Sequence, residues 1–204
     1  MKVLVVYYSL YGHVLKMAHA VAEGVGSVDG VEAVLRRVDE FPEVLEEKKD
    51  SKHFQDIWNQ QKNTPVCTPE DLAEADGVIF GSPTRFGNMT AQMKKLFDSL
   101  ANLWVKGTME GKPAGVFSST ATTHGGQETT LFTMMPPLLH LGMIVVGVPY
   151  STAHMLHTEA RGGTPYGPTT IAGSGNELQP TAEDLDIARA LGRRVAEAAK
   201  KLRG

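Results

Sequence analysis

Five short apolar segments alternate with longer segments of helical periodicity along the chain. The apolar segments have the length of β-strands and cover 3–8, 31–38, 77–81, 112–118 and 143–148. Elsewhere, apolar residues recur every three or four positions and predict helices over 14–25, 90–103, 128–141 and from Thr181 onward. Strands that alternate with helices predict a doubly wound α/β fold around a five-stranded parallel sheet, with helices on both faces.

The character of the strands and of the loops after them predicts the strand order. The first segment, VLVVYY, has almost no polar break, which is typical of a central strand covered on both faces, whereas 31–38 alternates with charged residues and suits an outer position. Polar loops at 9–14, 82–88 and 119–126 follow the first, third and fourth strands. Loops that surround one switch point favour the flavodoxin-like order 2-1-3-4-5.

Two segments lack the alternating pattern. Residues 41–71 contain acid and lysine clusters and three prolines, with only a short amphipathic turn around residues 54–58, and residues 149–179 are rich in Gly, Pro, His and Thr. We interpret both as loop insertions in a single domain that spans residues 1–204. Long connections of this kind are more often functional or interfacial than idle.

Local signals predict where individual helices begin and where one is disturbed. Asn88 is a candidate N-cap for the helix over 90–103. Thr181 and Asp184 have the spacing of a capping box for the last helix. Pro136 and Pro137 must kink the helix over 128–141 or break its hydrogen-bond ladder.

Composition and charge restrict the classes of function. The chain has 204 residues, of which 42% are hydrophobic, and this suits one well-filled core. A net charge of -3 with both signs interspersed gives no reason to expect nucleic acid or an anionic membrane as a partner. The single Cys67, the absence of a signal-peptide pattern and the lack of an apolar run near ~18 residues predict a cytoplasmic protein without membrane insertion. His154 and His157 lack a suitable third ligand nearby, so no metal site is predicted.

The first polar loop has the chemistry of a phosphate site. SLYGHV at 9–14 follows a buried strand and opens a helix, whose free N–H groups and positive dipole end attract anions, and the hydroxyls of Ser9 and Tyr11 add donors. Neither GxGxxG nor GxxxxGK[ST] is present, so the dinucleotide and nucleoside triphosphate fingerprints are missing. A phosphate ester with a large flat ring would use all three polar loops. Flavin mononucleotide (FMN) fits that description.

Four motifs carry a family resemblance. YYSLYGHV, GSPTRFGNM, FSSTATTHGGQETT and RGGTPYGPTTIAG resemble the successive motifs of the WrbA family of flavodoxin-like NAD(P)H:quinone oxidoreductases, in order and over essentially the whole chain. The resemblance implies non-covalent FMN, NADH or NADPH as reductant and a homotetramer. It also implies two-electron, ping-pong reduction of quinones to hydroquinones.

The resemblance also implies roles for individual residues. Tyr11 resembles a contact of the nicotinamide cofactor and Trp104 the aromatic wall of the substrate pocket. His124 and His140 are the candidates for a catalytic proton or charge near the flavin, since histidine titrates near neutral pH. The positions that match the family's FMN-binding residues, with Asn88 beside them, are Ser9, Leu10, Tyr11, Gly12, His13, Val14, Pro83, Thr84, Arg85, Phe86, Ser119, Thr120, Ala121, Thr122, Thr123, His124, Gly125 and His140.

Other interpretations of these residues stay open at this point. Ser9 could act only as a helix cap, Trp104 as a core or interface residue, and the two histidines at 13 and 140 as structural groups. An electron-carrying flavodoxin would share the FMN site but is shorter and usually more acidic. A regulatory flavin-binding protein is a further candidate, although the chain has no helix-turn-helix or basic patch. A phosphoacceptor receiver domain needs an aspartate where Gly81-Ser82 stands.

Overall fold

The computed structural model describes residues 1–203, which form six strands and eight helices. The strands are β1 Lys2–Tyr7, β2 Glu32–Arg37, β3 Gly77–Pro83, β4 Pro113–Thr120, β5 Ile144–Val145 and β6 Thr169–Ile171. The helices are α1 His13–Gly26, α2 Pro42–Lys48, α3 Lys52–Gln61, α4 Pro69–Glu74, α5 Ala91–Asp98, α6 Ala101–Val105, α7 Gln127–His140 and α8 Ala182–Arg203.

The parallel sheet has the order β2-β1-β3-β4-β5, which confirms the predicted flavodoxin-like topology. In β1, Val5 lies opposite Leu35 of β2 on one side and Ile79 of β3 on the other. Each face of the sheet has its own apolar core, and α1 and α8 pack together on one of them. This order brings the carboxyl ends of β1, β3 and β4 together at one edge of the sheet.

The fifth strand differs from the prediction of 143–148. Only Ile144–Val145 pairs with the start of β4, whereas Thr169–Ile171, which lies in the predicted loop 149–179, pairs with the end of β4 at Ser118–Thr120. The N–H of Val146 still donates to the carbonyl of Ala114 in β4, and the chain then leaves the sheet, so that the N–H of Val148 donates to the carbonyl of Pro165. The last position of the sheet is therefore shared by two segments that are separated by an insertion.

Two helices, α2 and α3, lie within residues 41–71, where a loop with one short amphipathic turn was expected, and a third, α4, begins in this segment at Pro69. Ser51 caps α3, and this helix buries Phe54, Ile57 and Gln61. Thr68 and Asp71 form a capping box at the start of α4, whereas α2 buries none of its residues. Neither α2 nor α3 presents a continuous apolar stripe, so the hydrophobic pattern did not reveal them.

The prediction of one helix over 90–103 capped by Asn88 was wrong. Asn88 instead exchanges backbone hydrogen bonds with Arg85 in a tight turn, and the side chain of Thr90 accepts from the N–H of Met93 to cap α5. Ser99 ends this helix, since its N–H is shared between two carbonyls of the last turn and its hydroxyl donates to the carbonyl of Leu96. A separate short helix, α6, follows.

The last two long helices agree better with the sequence. Thr181 and Asp184 exchange the two hydrogen bonds of the predicted capping box at the start of α8. Helix α7 continues through Pro136 and Pro137, where its ladder lacks two N–H donors. No helix within residues 1–203 combines the length and the apolar character that a membrane crossing needs.

Candidate functional site

The three polar loops meet in one cleft at the carboxyl ends of β1, β3 and β4. The cleft, which we call the strand-end cleft, has a volume of about 110 Å³. Its lining residues are Ser9, Leu10, Tyr11, His13, Val14, Pro83, Thr84, Arg85, Ser119, Thr120, Ala121, Ala172 and Asn176.

The first loop presents free backbone donors at the start of α1. Gly12 adopts a left-handed conformation with φ of 92°, which turns the chain sharply between strand and helix. The Ser9 hydroxyl accepts from the N–H groups of Gly12 and Leu15, each at 3.1 Å. Within residues 1–203 the N–H groups of His13 and Val14 have no acceptor, and the first turn of α1 contains no acidic side chain. This arrangement suits an anion.

The second loop is attached to the third by hydrogen bonds. The N–H of Thr84 donates to the carbonyl of Ser119 at 2.9 Å. The Thr84 hydroxyl accepts from the N–H of Gly87 at 3.1 Å and from the buried hydroxyl of Thr130 at 2.8 Å. Thr130 belongs to α7, so this helix fixes the position of the second loop.

The third loop is folded so that several of its N–H groups stay free. The carbonyl of Thr122 accepts from the Thr120 hydroxyl at 2.8 Å and from the N–H of Gly125 at 3.0 Å. In the described chain the N–H groups of Ala121 and Thr123 have no acceptor. Ala121 lines the cleft, so its N–H is available to the heteroatoms of a ring that lies along this loop.

A glycine closes the gap between the second and third loops. Gly126 has φ of 93°, and a Cβ at this position would lie 2.7 Å from the Cα of Gly87. Because backbone rather than a flexible side chain occupies that space, a larger residue would push the two loops apart.

His13 connects the first loop to the end of the insertion 149–179, where no site residue was predicted. Its Nε2 lies 2.8 Å from the carbonyl of Leu178, and burial lowers the pKa of the imidazole. The same segment brings Ala172 and Asn176 into the cleft. The sequence signal for this tight loop is its glycine-containing run, which leads to Asn176. Asn176 itself has φ of 61°.

Part of the predicted FMN set lies outside the lining of the cleft. Gly12 shapes the turn, and Phe86 is fully exposed at φ of 55°. Thr122, Thr123 and Gly125 lie on the outer part of the third loop, where Thr123 and His124 face a separate opening that also contains His157 and Arg161. Across residues 1–203, no three His, Cys, Asp or Glu side chains are placed to hold a metal ion.

Trp104 and His140 lie together in a different place. Both line a groove of about 250 Å³ between α5, α6 and the end of α7, which we call the Trp104 groove. The third loop precedes α7 and His140 is the last residue of this 14-residue helix, which is about 20 Å long. Within one chain, therefore, neither side chain reaches the strand-end cleft.

The donors that line the cleft suit the two ends of FMN, its phosphate and its flavin ring. The start of α1 offers unpaired donors and a positive dipole to a phosphate, and Arg85 adds a cation at the rim. The third loop offers donors to a polar ring edge. A ligand with a dianionic end and a flat heteroaromatic end uses both.

Comparisons with known proteins agree with this geometry. Residues 1–158 match the family described as NADPH-dependent FMN reductase. Two relatives named NAD(P)H dehydrogenase (quinone), from Solidesulfovibrio magneticus and Geobacter sulfurreducens, are 51% and 52% identical, and each alignment covers 100% of both chains. A WrbA-like flavodoxin protein from Agrobacterium tumefaciens is 27% identical, with a TM-score of 0.65 and 98% of each chain covered. The resemblance inferred from the four motifs is confirmed.

Proposed function

Because the chain belongs to the family of NADPH-dependent FMN reductases, we propose that it is an FMN-dependent NAD(P)H:quinone oxidoreductase. The observation that carries this proposal is the convergence of three polar loops in the strand-end cleft, with free N–H donors at both ends of the cleft. Relatives about half identical over the full length carry the corresponding enzyme name.

Each loop has a distinct task in this proposal. The loop from Ser9 to Val14 binds the phosphate through backbone N–H groups at the start of α1. Thr84 and Ala121 line the two sides where the ring would lie, and the free donors of the third loop stabilise negative charge on the ring edge. Bound FMN would supply the hydride and electron chemistry, from NADH or NADPH to a quinone.

The roles proposed for Trp104 and His140 require a second copy of the chain. Trp104 is 59% exposed and His140 is exposed beside it, so the Trp104 groove is open to another molecule. We propose that a homotetramer, the assembly implied by the family resemblance, places this groove against the strand-end cleft of another subunit. There Trp104 would form the wall of the quinone pocket and His140 would approach the flavin, while Tyr11 contacts the nicotinamide.

Flavin binding and reduction test the enzyme assignment. Titration of apoprotein with FMN should quench flavin fluorescence with one equivalent per chain, and anaerobic mixing with NADH or NADPH should bleach the flavin absorbance. A benzoquinone should then restore it. Apoprotein that does not quench the fluorescence of FMN would refute the proposed FMN site. FMN-bound protein that neither dinucleotide reduces would favour the electron-carrier alternative.

A mixing experiment tests the shared site. One variant carries Ala121→Trp, which fills the strand-end cleft from an exposed position of the third loop, and the other carries Trp104→Ala. Subunits refolded together should recover part of the quinone turnover that each variant lacks alone, because some sites then combine an intact loop with an intact Trp104. A mixture no more active than the average of the two variants would refute the shared site.

The dependence on NAD(P)H is also our reason to propose that the protein acts in the cytoplasm.

A further inference from the structure

Helix α3 lies directly behind the first loop of the strand-end cleft. Three of its side chains, His53, Ile57 and Gln61, follow at intervals of four residues, which places them on one face of the helix. Each of the three contacts a different residue of the loop that opens α1. The helix belongs to the segment 41–71, to which the proposed function assigns no part.

The contact made by Gln61 is a hydrogen bond to the loop backbone. Its Nε2 donates to the carbonyl of Ser9 at 2.7 Å, and its side chain is only 3% exposed. Among residues 1–203 no other group donates to this carbonyl. A buried acceptor without a donor is costly, so the carbonyl stays in this position only while Gln61 is present.

The other two contacts fix Gly12 and Tyr11 of the same loop. The Cδ1 of Ile57 lies so close to Gly12 that a Cβ on the glycine would be 2.7 Å away. The ring of His53 stacks on Tyr11, with centroids 6.1 Å apart and planes inclined by 24°. Phe54, by contrast, points into the main core beneath the sheet. One face of α3 therefore serves the loop and another serves ordinary packing.

We propose that α3 is a buttress for the phosphate loop and that Gln61 is a positioning residue for FMN. The inference rests on the proposed function, since it assumes that the loop binds the FMN phosphate. By fixing the carbonyl of Ser9, Gln61 sets the direction of the peptides that follow and so the aim of the free N–H groups of His13 and Val14. Preorganised donors bind an anion without the cost of ordering the loop.

This role predicts a defect that is specific to the phosphate. Gln61→Met keeps the length and volume of the side chain but removes the donor. We expect it to raise the dissociation constant of FMN about tenfold, which matches the lower part of the cost of an unsatisfied buried carbonyl. The dissociation constant of riboflavin, which has no phosphate, should stay within about twofold of the wild-type value, because the ring contacts lie on the second and third loops.

The neighbouring glutamine provides a matched control. Gln60 is exposed on the same helix, and its Nε2 donates only to the carbonyl of Asp56 within α3. Gln60→Met should leave both dissociation constants unchanged. Fluorescence titration of apoprotein with FMN and with riboflavin measures all four values, and circular dichroism reports folding. Ile57→Val, which removes Cδ1 at the same interface, is the second variant if Gln61→Met does not fold, and it should weaken FMN but not riboflavin.

The outcomes separate this inference from the function on which it rests. Wild-type protein that does not bind FMN would refute the proposed function. If the wild type binds FMN and the folded Gln61→Met protein binds it equally well, only the buttress is refuted. Equal weakening of FMN and riboflavin would also refute it, since that result would show general loosening of the fold rather than a loss of phosphate recognition.

Discussion

Replacing Gly12 with alanine separates two physical reasons for a glycine in the first loop. The residue has φ of 92°, which L-residues with a side chain adopt at a cost of about 1–2 kcal/mol. A Cβ would in addition lie 2.7 Å from the Cδ1 of Ile57, well inside van der Waals contact. Crowding of this kind in a packed interior costs about 1–3 kcal/mol. Together the two effects should lower the free energy of unfolding of Gly12→Ala by about 2–5 kcal/mol.

Another glycine isolates the backbone contribution. Gly30 has φ of 80°, and a Cβ built on it has no neighbour within 4 Å. Gly30→Ala should therefore lose only the conformational cost, about 1–2 kcal/mol. The difference between the two variants, measured by urea unfolding of the apoprotein, estimates the steric contribution of Ile57.

A double variant tests the origin of that difference. Ile57→Val removes Cδ1, so Gly12→Ala combined with Ile57→Val should be less destabilised than the sum of the two single variants, by about 1 kcal/mol or more. FMN affinity should recover in parallel, because the loop can return to its native position. The reasoning is refuted if Gly12→Ala is no more destabilising than Gly30→Ala, or if the two substitutions at 12 and 57 are simply additive.

Three further predictions follow from individual side chains. Burial lowers the pKa of His13, so the folded apoprotein favours the neutral imidazole. The stability that the neutral imidazole contributes is complete above about pH 6.5 and is lost as the pH falls through the lowered pKa of the folded state. The stability difference between wild type and His13→Gln, from urea unfolding, should therefore shrink as the pH falls below about 6.5, and a constant difference between pH 5 and 7.5 would contradict this. Thr130→Val removes the hydroxyl that donates to Thr84 and should cost about 1–3 kcal/mol by the same measurement, whereas the exposed Thr129→Val should cost much less; equal costs would count against the assigned hydrogen bond. Burial raises the pKa of the Cys67 thiol to about 12, so iodoacetamide at pH 8 should leave native protein unmodified by mass and alkylate it in urea, and rapid labelling of native protein would show that the thiol is accessible.

The arrangement of the cleft was largely predictable because it depends on strand ends. A buried parallel strand is a continuous apolar run, and the polar residues directly after it must lie at the carboxyl edge of the sheet. This logic predicts Ser9, Thr84 and Ser119 in one cleft, and the structure brings them together. The same reasoning does not predict Asn176, because this residue enters the cleft from a loop after strand β6, which was not predicted.

The helices between β2 and β3 were not predictable from periodicity, for two different reasons. Helix α2 buries none of its residues, so it has no apolar face to detect. Helix α3 buries Phe54 and Ile57, but its third buried residue is Gln61, which reads as a surface position in the sequence. Strand β5 was predicted too long because Val148 is β-branched like the residues before it, although the chain leaves the sheet after Val146 and turns toward Pro165.

Gln61 shows why the hydrophobic pattern does not predict positioning residues. A side chain that holds a buried backbone carbonyl must be polar and must also be buried, so its type indicates solvent while its location is the interior. The sequence signal that remains is the spacing: a polar residue four positions after an aliphatic one and eight after an aromatic or imidazole ring, as at 53, 57 and 61. Such a row is informative only once its partner is known. Here the partner is the loop 9–12, whose carbonyl, glycine and tyrosine each require a different kind of contact, and Gln61, Ile57 and His53 of α3 supply them.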